Sequence, residues 1–243
     1  MIPFSFSRIL IMLAAFMAIM IVYEICIIYH YIRISTWLVA KAQPYVLTSS
    51  TDWPSILVLG DSTAVGVWAD TASDSTAGRL AKYIGAKRVE HHGVSWAIVA
   101  DIGDQLTKIE KKEYDYILLQ IGANDMVAFH NLETVSRDYE VLLENLPKAK
   151  KLIVLSCGNL GWAKIFPRIM GVIYEHLSRS YHAKLWAIVA KHWGIYINLF
   201  EERSVDPFVL QPDVYLAADY FHPSSIWYAH WFSSIVKQIE SSK

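Results

Sequence analysis

From Ile9 to Tyr29 the chain reads ILIMLAAFMAIMIVYEICIIY, a run with one ionisable side chain, Glu24. A helix rises 1.5 Å per residue, so this run is about 30 Å long, the thickness of a bilayer's hydrocarbon core. It reads as a transmembrane helix. A cleaved signal peptide is the competing reading, with Ala40-Lys41-Ala42 as a small-x-small cleavage site. Against it, the run exceeds the usual 7 to 15 apolar residues, and Arg33 lies between it and that site. Residues 1–30 are therefore expected to be an uncleaved single-pass anchor. Glu24 sits toward the end of the run, where it can reach the interface or a partner helix. Arg8 precedes the span and Arg33 and Lys41 follow it, so basic residues are nearly balanced across it. An extracytoplasmic domain is the expectation taken from one N-terminal span with a soluble tail.

Residues 31–53, with Gln43-Pro44 and Thr48-Ser49-Ser50-Thr51, read as a neck or linker. Residues 54–243 are long enough for one domain. The whole chain holds 22 Lys and Arg against 23 Asp and Glu. With Arg8, Arg33, Lys41 and Glu24 set aside, 19 basic residues face 22 acidic ones in the remainder. Such a balance argues against a nucleic-acid partner held through phosphate contacts. Two cysteines, Cys26 and Cys157, cannot build a disulfide framework or a four-cysteine zinc site. The histidines at 91, 92, 130, 176, 182, 192 and 230 show no metal-ligand spacing, so no metal or other cofactor is expected.

Beyond the linker, apolar runs of strand length alternate with helix-length stretches. Strands are expected at 55–59, 114–120, 151–155 and 195–199, with a weaker one at 87–90. Their continuous apolarity marks strands covered on both faces. Helices are expected near 75–85, 98–110, 132–147, 175–193 and 224–239. In the last, Ser224 is a candidate N-cap, and Trp227, Trp231 and Ile235 recur on one face. Trp162, Phe166, Met170 and Tyr174 also recur at four-residue intervals, with Lys164 and Arg168 between them. This pattern reads as core rather than a lipid-facing surface. Repeated β-α units imply a parallel sheet in a three-layer α/β/α sandwich, whose ligand crevice lies beyond the carboxyl ends of the strands.

Three such ends carry chemistry. The first strand runs into Gly60-Asp61-Ser62-Thr63-Ala64-Val65-Gly66. A serine directly after a strand, where a helix starts, has its hydroxyl at the crevice and its N–H among the helix's unpaired donors. A small polar helix cap would look the same. The next informative end is Gly122-Ala123-Asn124-Asp125, where the Asn124 amide can face an oxyanion or merely form a turn. Near the C-terminus, Asp219-Tyr220-Phe221-His222-Pro223 places an acid three residues before a histidine. That acid can orient the ring while its other nitrogen takes a proton. Asp61 and Asp125 read as loop-fixing groups.

These ordered motifs together resemble the SGNH hydrolase superfamily, also called the GDSL esterases and lipases, over about residue 55 to the end. The resemblance implies a flavodoxin-like sheet and hydrolysis of ester or thioester bonds in lipid or small acyl substrates, with no metal. It assigns Ser62 as nucleophile, Asp219 and His222 as its partners, and Ser62 N–H and the Asn124 amide to the oxyanion hole. The family's Asn-x-Gly-x-x-Gly block is replaced by His91-His92-Gly93-Val94-Ser95-Trp96, which puts Trp96 at the backbone-donor position and leaves Gly93 as a fallback. An ordinary residue can donate there if its backbone angles suit it. The Trp96 indole is expected either to wall the acyl site or to pack against the neck. Two further functions are compatible with these residues: an O-acetyl transferase or deacetylase of envelope glycans with the same triad, and a catalytically silent binding domain. Oligomeric state is not legible.

Overall fold

The computed structural model describes residues 6–49, 51, 53–167 and 169–241. Ser50 of the expected linker and Arg168 lie outside the described residues, as does the side chain of Trp162.

Helix α1 (Phe6–Lys41) runs well past the apolar segment, through Arg33 to Lys41, so the first part of the expected neck is helical. Sequence polarity rises after Tyr29, but an apolar stripe continues at helical spacing and finds a partner. Residues 7–23 are all exposed, whereas from Glu24 onward half-buried or buried positions recur at 24, 27, 28, 31, 34, 35 and 38. Ser35 and Leu38 are among the buried residues of the molecule. Leu38 belongs to a small cluster with Val65, Val67 and Ala217, with Ile34 packed against it. Tyr31 stands edge-on to Tyr220, with ring centroids 5.6 Å apart. The helix as a whole is long and apolar enough to cross a membrane, with a free half that is exposed and a docked half.

The remainder follows the alternating pattern. Strand β1 (Ser55–Gly60) leads into the one-turn helix α2 (Ser62–Val65), and α3 (Thr76–Ile84) precedes β2 (Arg88–His91). Next come α4 (Ile102–Leu106), β3 (Glu113–Gln120), α5 (Ala123–Val127), α6 (Leu132–Glu144) and β4 (Lys148–Leu155). The chain ends with α7 (Met170–Lys191), β5 (Ile195–Ile197), the short α8 (Pro207–Leu210) and α9 (Pro212–Tyr215), and α10 (Ser225–Ser241). The expected helix over 98–110 is shorter, because residues 99–101 form a 3-10 turn first. Ser224 does precede α10, but its hydroxyl donates to Val214 O at 2.8 Å, tying the helix start to α9.

All strand pairs are parallel, in the order β2-β1-β3-β4-β5. Alternate strand residues serve opposite faces, as the pleat requires. Leu57, Leu59, Ile117, Leu119 and Val154 pack with α6 and α7 residues such as Tyr139 and Tyr181. Ile56, Val58, Leu118, Ile153 and Leu155 pack against α3 and α10, where Trp227, Trp231 and Ile235 are buried. Phe166, Met170 and Tyr174 join the α6–α7 side, as a core stripe should. This is the three-layer sandwich expected from the alternating pattern. Its strand order reverses between β1 and β3, and at such a switch point the diverging loops open a crevice at the carboxyl edge.

Candidate active site

Ser62 follows β1 at that crevice. The turn into it depends on Gly60, at φ +140°, where an added Cβ would lie 1.9 Å from Gln120 O. No side chain fits so close to the backbone of β3, so this glycine lets the two strands run together up to the site. Asp61 caps α2: its Oδ1 accepts from Thr63 N and Thr63 Oγ1, both at 2.8 Å. Burial pushes its carboxyl up to about 6, against the pull of those hydrogen bonds. Asp125 accepts from Val99 N at 3.0 Å and pairs with His130 Nδ1 at 3.1 Å. Both acids fix loops, as expected of them.

The loop before α10 brings His222 to the serine. His222 Nε2 lies 3.0 Å from Ser62 Oγ, and His222 Nδ1 lies 2.6 Å from Asp219 Oδ2. The other carboxylate oxygen of Asp219 accepts from the backbone N–H groups of Phe221 and His222, each at 3.0 Å. All three side chains are buried. Burial alone would raise the Asp219 carboxyl. The imidazole hydrogen bond, the imidazole's charge and the two backbone donors outweigh it and hold the group below the usual carboxylate range. A carboxylate kept ionised against Nδ1 selects the tautomer whose Nε2 can accept the hydroxyl proton.

The three candidate oxyanion donors lie on separate loops. Among the described residues neither Ser62 N–H nor Trp96 N–H has a hydrogen-bond partner. Asn124 Nδ2 donates to Ala97 O at 2.8 Å, which ties its amide to the Trp96 loop and leaves its second N–H unpaired. Trp96 is at φ +71°, in the left-handed region that residues with side chains rarely adopt. The position keeps a conformation suited to glycine while carrying an indole. That indole stands edge-on to the His222 imidazole, with centroids 6.5 Å apart, on the catalytic side of the loop. Gly93, the fallback, already donates its N–H to His91 Nδ1 at 3.2 Å.

Two positioning residues were not legible in the sequence. His91 accepts from Gly93 N, and its Nε2 lies 3.0 Å from Ala64 O, so one ring joins the Trp96 loop to the Ser62 helix. Burial lowers its pKa, which keeps this bridge neutral. Gln105 pairs with both backbone groups of Gly60, donating to its O at 2.8 Å and accepting from its N at 2.9 Å. Among the described residues no three His, Cys, Asp or Glu side chains gather as a metal-binding group.

A parallel sheet with a hydrogen-bonded serine, histidine and aspartate at its switch point is an arrangement shared by α/β serine hydrolases. More specifically, the chain belongs to the GDSL-like lipase/acylhydrolase family, whose model matches residues 58–230. No curated protein matches it in sequence. Among solved structures it is similar to TesA, at 16% identity and a TM-score of 0.56 over 77% of this chain and 98% of that one. A variant of Axe2, an acetyl-xylooligosaccharide esterase from Geobacillus stearothermophilus, aligns at 15% identity and a TM-score of 0.58, covering 79% and 95% of the two chains. Phospholipase A1 from Streptomyces albidoflavus NA297 aligns at 14% identity and a TM-score of 0.53, covering 76% and 99%. At such identities these likenesses concern the fold.

Proposed function

We propose that the protein is a membrane-anchored serine esterase that cleaves carboxylic esters of lipids or small acyl compounds through an acyl-enzyme. The observation that carries this reading is the continuous hydrogen-bonded line from Asp219 through His222 to Ser62 Oγ. His222 Nε2 takes the hydroxyl proton as Ser62 Oγ bonds to the ester carbonyl carbon. The resulting oxyanion is met by the N–H groups of Ser62 and Trp96 and by the Asn124 amide, each such donor typically contributing about 3 kcal/mol to the transition state. As the bond to the leaving oxygen breaks, His222 returns its proton to the departing alcohol. Water then attacks the acyl-enzyme with His222 as base, and the acid leaves as Ser62 regains its proton. Asp219 holds the ring and offsets its charge throughout. The free half of α1 would span the bilayer, with the catalytic domain outside the cytoplasm.

A fluorophosphonate probe should label the folded full-length protein, and Ser62→Ala should abolish labelling; an unlabelled folded wild type would overturn the reading. A second reading, deacetylation or O-acetyl transfer on glycans by the same residues, is supported by the size of the cavity beside Ser62. It holds about 20 Å³, room for about one water. Acetate release from an acetylated polysaccharide, without hydrolysis of longer esters, would select it.

A further inference from the structure

The cavity beside Ser62 has no room for a long acyl chain, but a much larger one adjoins it. A cleft of about 740 Å³ lies between the middle of α1, from Met20 to Tyr31, and the loops that follow β4 and β5. That volume is typical of a pocket for a lipid- or drug-sized molecule. Met20 and Ile27 of α1 line one side, and Phe166 and Val209 are among the residues of the other. Phe208 borders both the cleft and the Ser62 cavity, and the segment from Gly158 to Ala163 walls first one and then the other. The two spaces are therefore neighbours sharing a partition.

The cleft is also charged at its edge. Lys164 and Arg203 line it, and both are exposed. Among the described residues neither has a carboxylate partner; Lys164 instead lies over the Tyr220 ring, 4.2 Å from its centroid. Glu24 lines the cleft too, which leaves it net cationic.

Geometry fixes which way this cleft faces. The docked half of α1 lies against Val65, Val67, Ala217 and Tyr220, residues just after Ser62 and just before His222, so the helix departs from the catalytic edge of the sheet. On the loops after β1, β2 and β3 the aromatic residues Trp68, Trp96 and Phe129 are 39%, 48% and 49% exposed at that same edge. Exposed aromatics of this kind favour a membrane–water interface.

We propose that this cleft is the entry and holding site for a phosphate-bearing membrane lipid, its acyl chain against α1 and its headgroup phosphate between Lys164 and Arg203. The inference rests on the esterase reading above and names the substrate class of that same site. Charge complementarity selects the phosphate, the apolar wall selects the chain, and the free half of α1 places the cleft beside a bilayer.

The test uses full-length protein in neutral detergent micelles with three substrates: 1-palmitoyl lysophosphatidylglycerol, 1-palmitoylglycerol and p-nitrophenyl butyrate. The first two share the acyl chain and differ in the phosphate headgroup. Lys164→Gln/Arg203→Gln should lower kcat/KM at least tenfold on the lysophospholipid and leave the other two substrates within twofold. Lys82→Gln/Lys87→Gln, which removes the same charge from exposed sites on the β2 side, should change none of them. An unchanged rate on the lysophospholipid, or an equal fall on 1-palmitoylglycerol, overturns the headgroup site. Wild type that cleaves no ester, the butyrate included, overturns the esterase reading instead, so the two failures are told apart.

Discussion

Ser62 and His222 stand 160 residues apart in the chain and 3.0 Å apart in space, Oγ to Nε2. The contact joins the end of β1 to the loop before α10. Ser62→Ala and His222→Ala should each lower kcat on p-nitrophenyl butyrate by about 10⁴-fold or more, and the double variant little further, because the two act as one unit. Asp219→Asn should cost about 10⁴-fold with the fold intact, since the amide favours the wrong tautomer. Circular dichroism of each variant checks that folding is unaffected.

Gln105 holds the backbone of Gly60, two residues before Ser62. Gln105→Leu leaves the buried Gly60 N–H without a partner, at about 1–3 kcal/mol, while Gly60 O keeps the hydrogen bond from Val94 N at 2.9 Å. The variant should unfold at a measurably lower temperature, and the residual folded enzyme should show a lower kcat with KM nearly unchanged. A variant with wild-type kcat would mean that Gly60 positions Ser62 without this clamp.

How much of this was legible follows from the kind of contact involved. Strands β1, β3 and β4 show in the sequence because burial on both faces demands continuous apolarity, and Ser62, Asn124, Asp219 and His222 show because each lies in a short motif at a strand end or catalytic loop. Gln105 and His91 were hidden because the contacts that tie them to the Ser62 turn are to backbone atoms 45 and 27 residues away, which impose no residue type on the partner. The helical stretch from Tyr31 to Lys41 was missed because Arg33 and the following polar residues ended the apolar run. The signal that could have found it is the four-residue spacing of Ile34, Leu38 and Ala42, one stripe of a helix.

Trp96 pays a backbone penalty that a glycine would not. At φ +71° a side-chain-bearing residue is strained by about 1 kcal/mol, so Trp96→Gly should keep the backbone N–H proposed for the oxyanion and, apart from the lost ring contact with His222, relieve that strain. Removing the indole from beside His222 should widen the accepted esters. On a C2 to C16 ester panel the ratio of long-chain to acetyl kcat/KM should rise several-fold; an unchanged ratio would show that the indole does not wall the acyl site.

Asp206 caps α8, accepting from Phe208 N at 2.9 Å, yet burial first, and then Glu201 and Glu175, push its carboxyl up to about 7. The folded state therefore holds its proton where the unfolded chain, at about 3.8, has lost it. More protons on the native state mean that stability falls as pH rises from about 4 through about 7. Asp206→Asn keeps the cap and removes the charge. Its thermal midpoint should match wild type near pH 4 and exceed it at pH 8, and equal midpoints at pH 8 would show that the carboxylate is accommodated without cost.

The division of α1 into a free and a docked half changes what a soluble form should contain. A cut after residue 45 removes Leu38 and Ile34, uncovering Val65, Val67 and Ala217 directly behind Ser62 and His222. A cut after residue 23 removes, among the described residues, only exposed ones and keeps the whole stripe from Glu24 to Ala42. Burying one large aliphatic side chain is worth roughly 1.5–3 kcal/mol, so the longer truncation should lose several kcal/mol relative to the shorter. It should also show lower activity, because the uncovered residues support the loops that carry the nucleophile and the histidine. The comparison is direct: thermal midpoint and butyrate kcat/KM for residues 24–243 against 46–243, both purified in the same mild detergent. Equal midpoints and equal rates would mean that the helix only tethers the domain; the packing of Leu38 against Val65 argues that it also completes it.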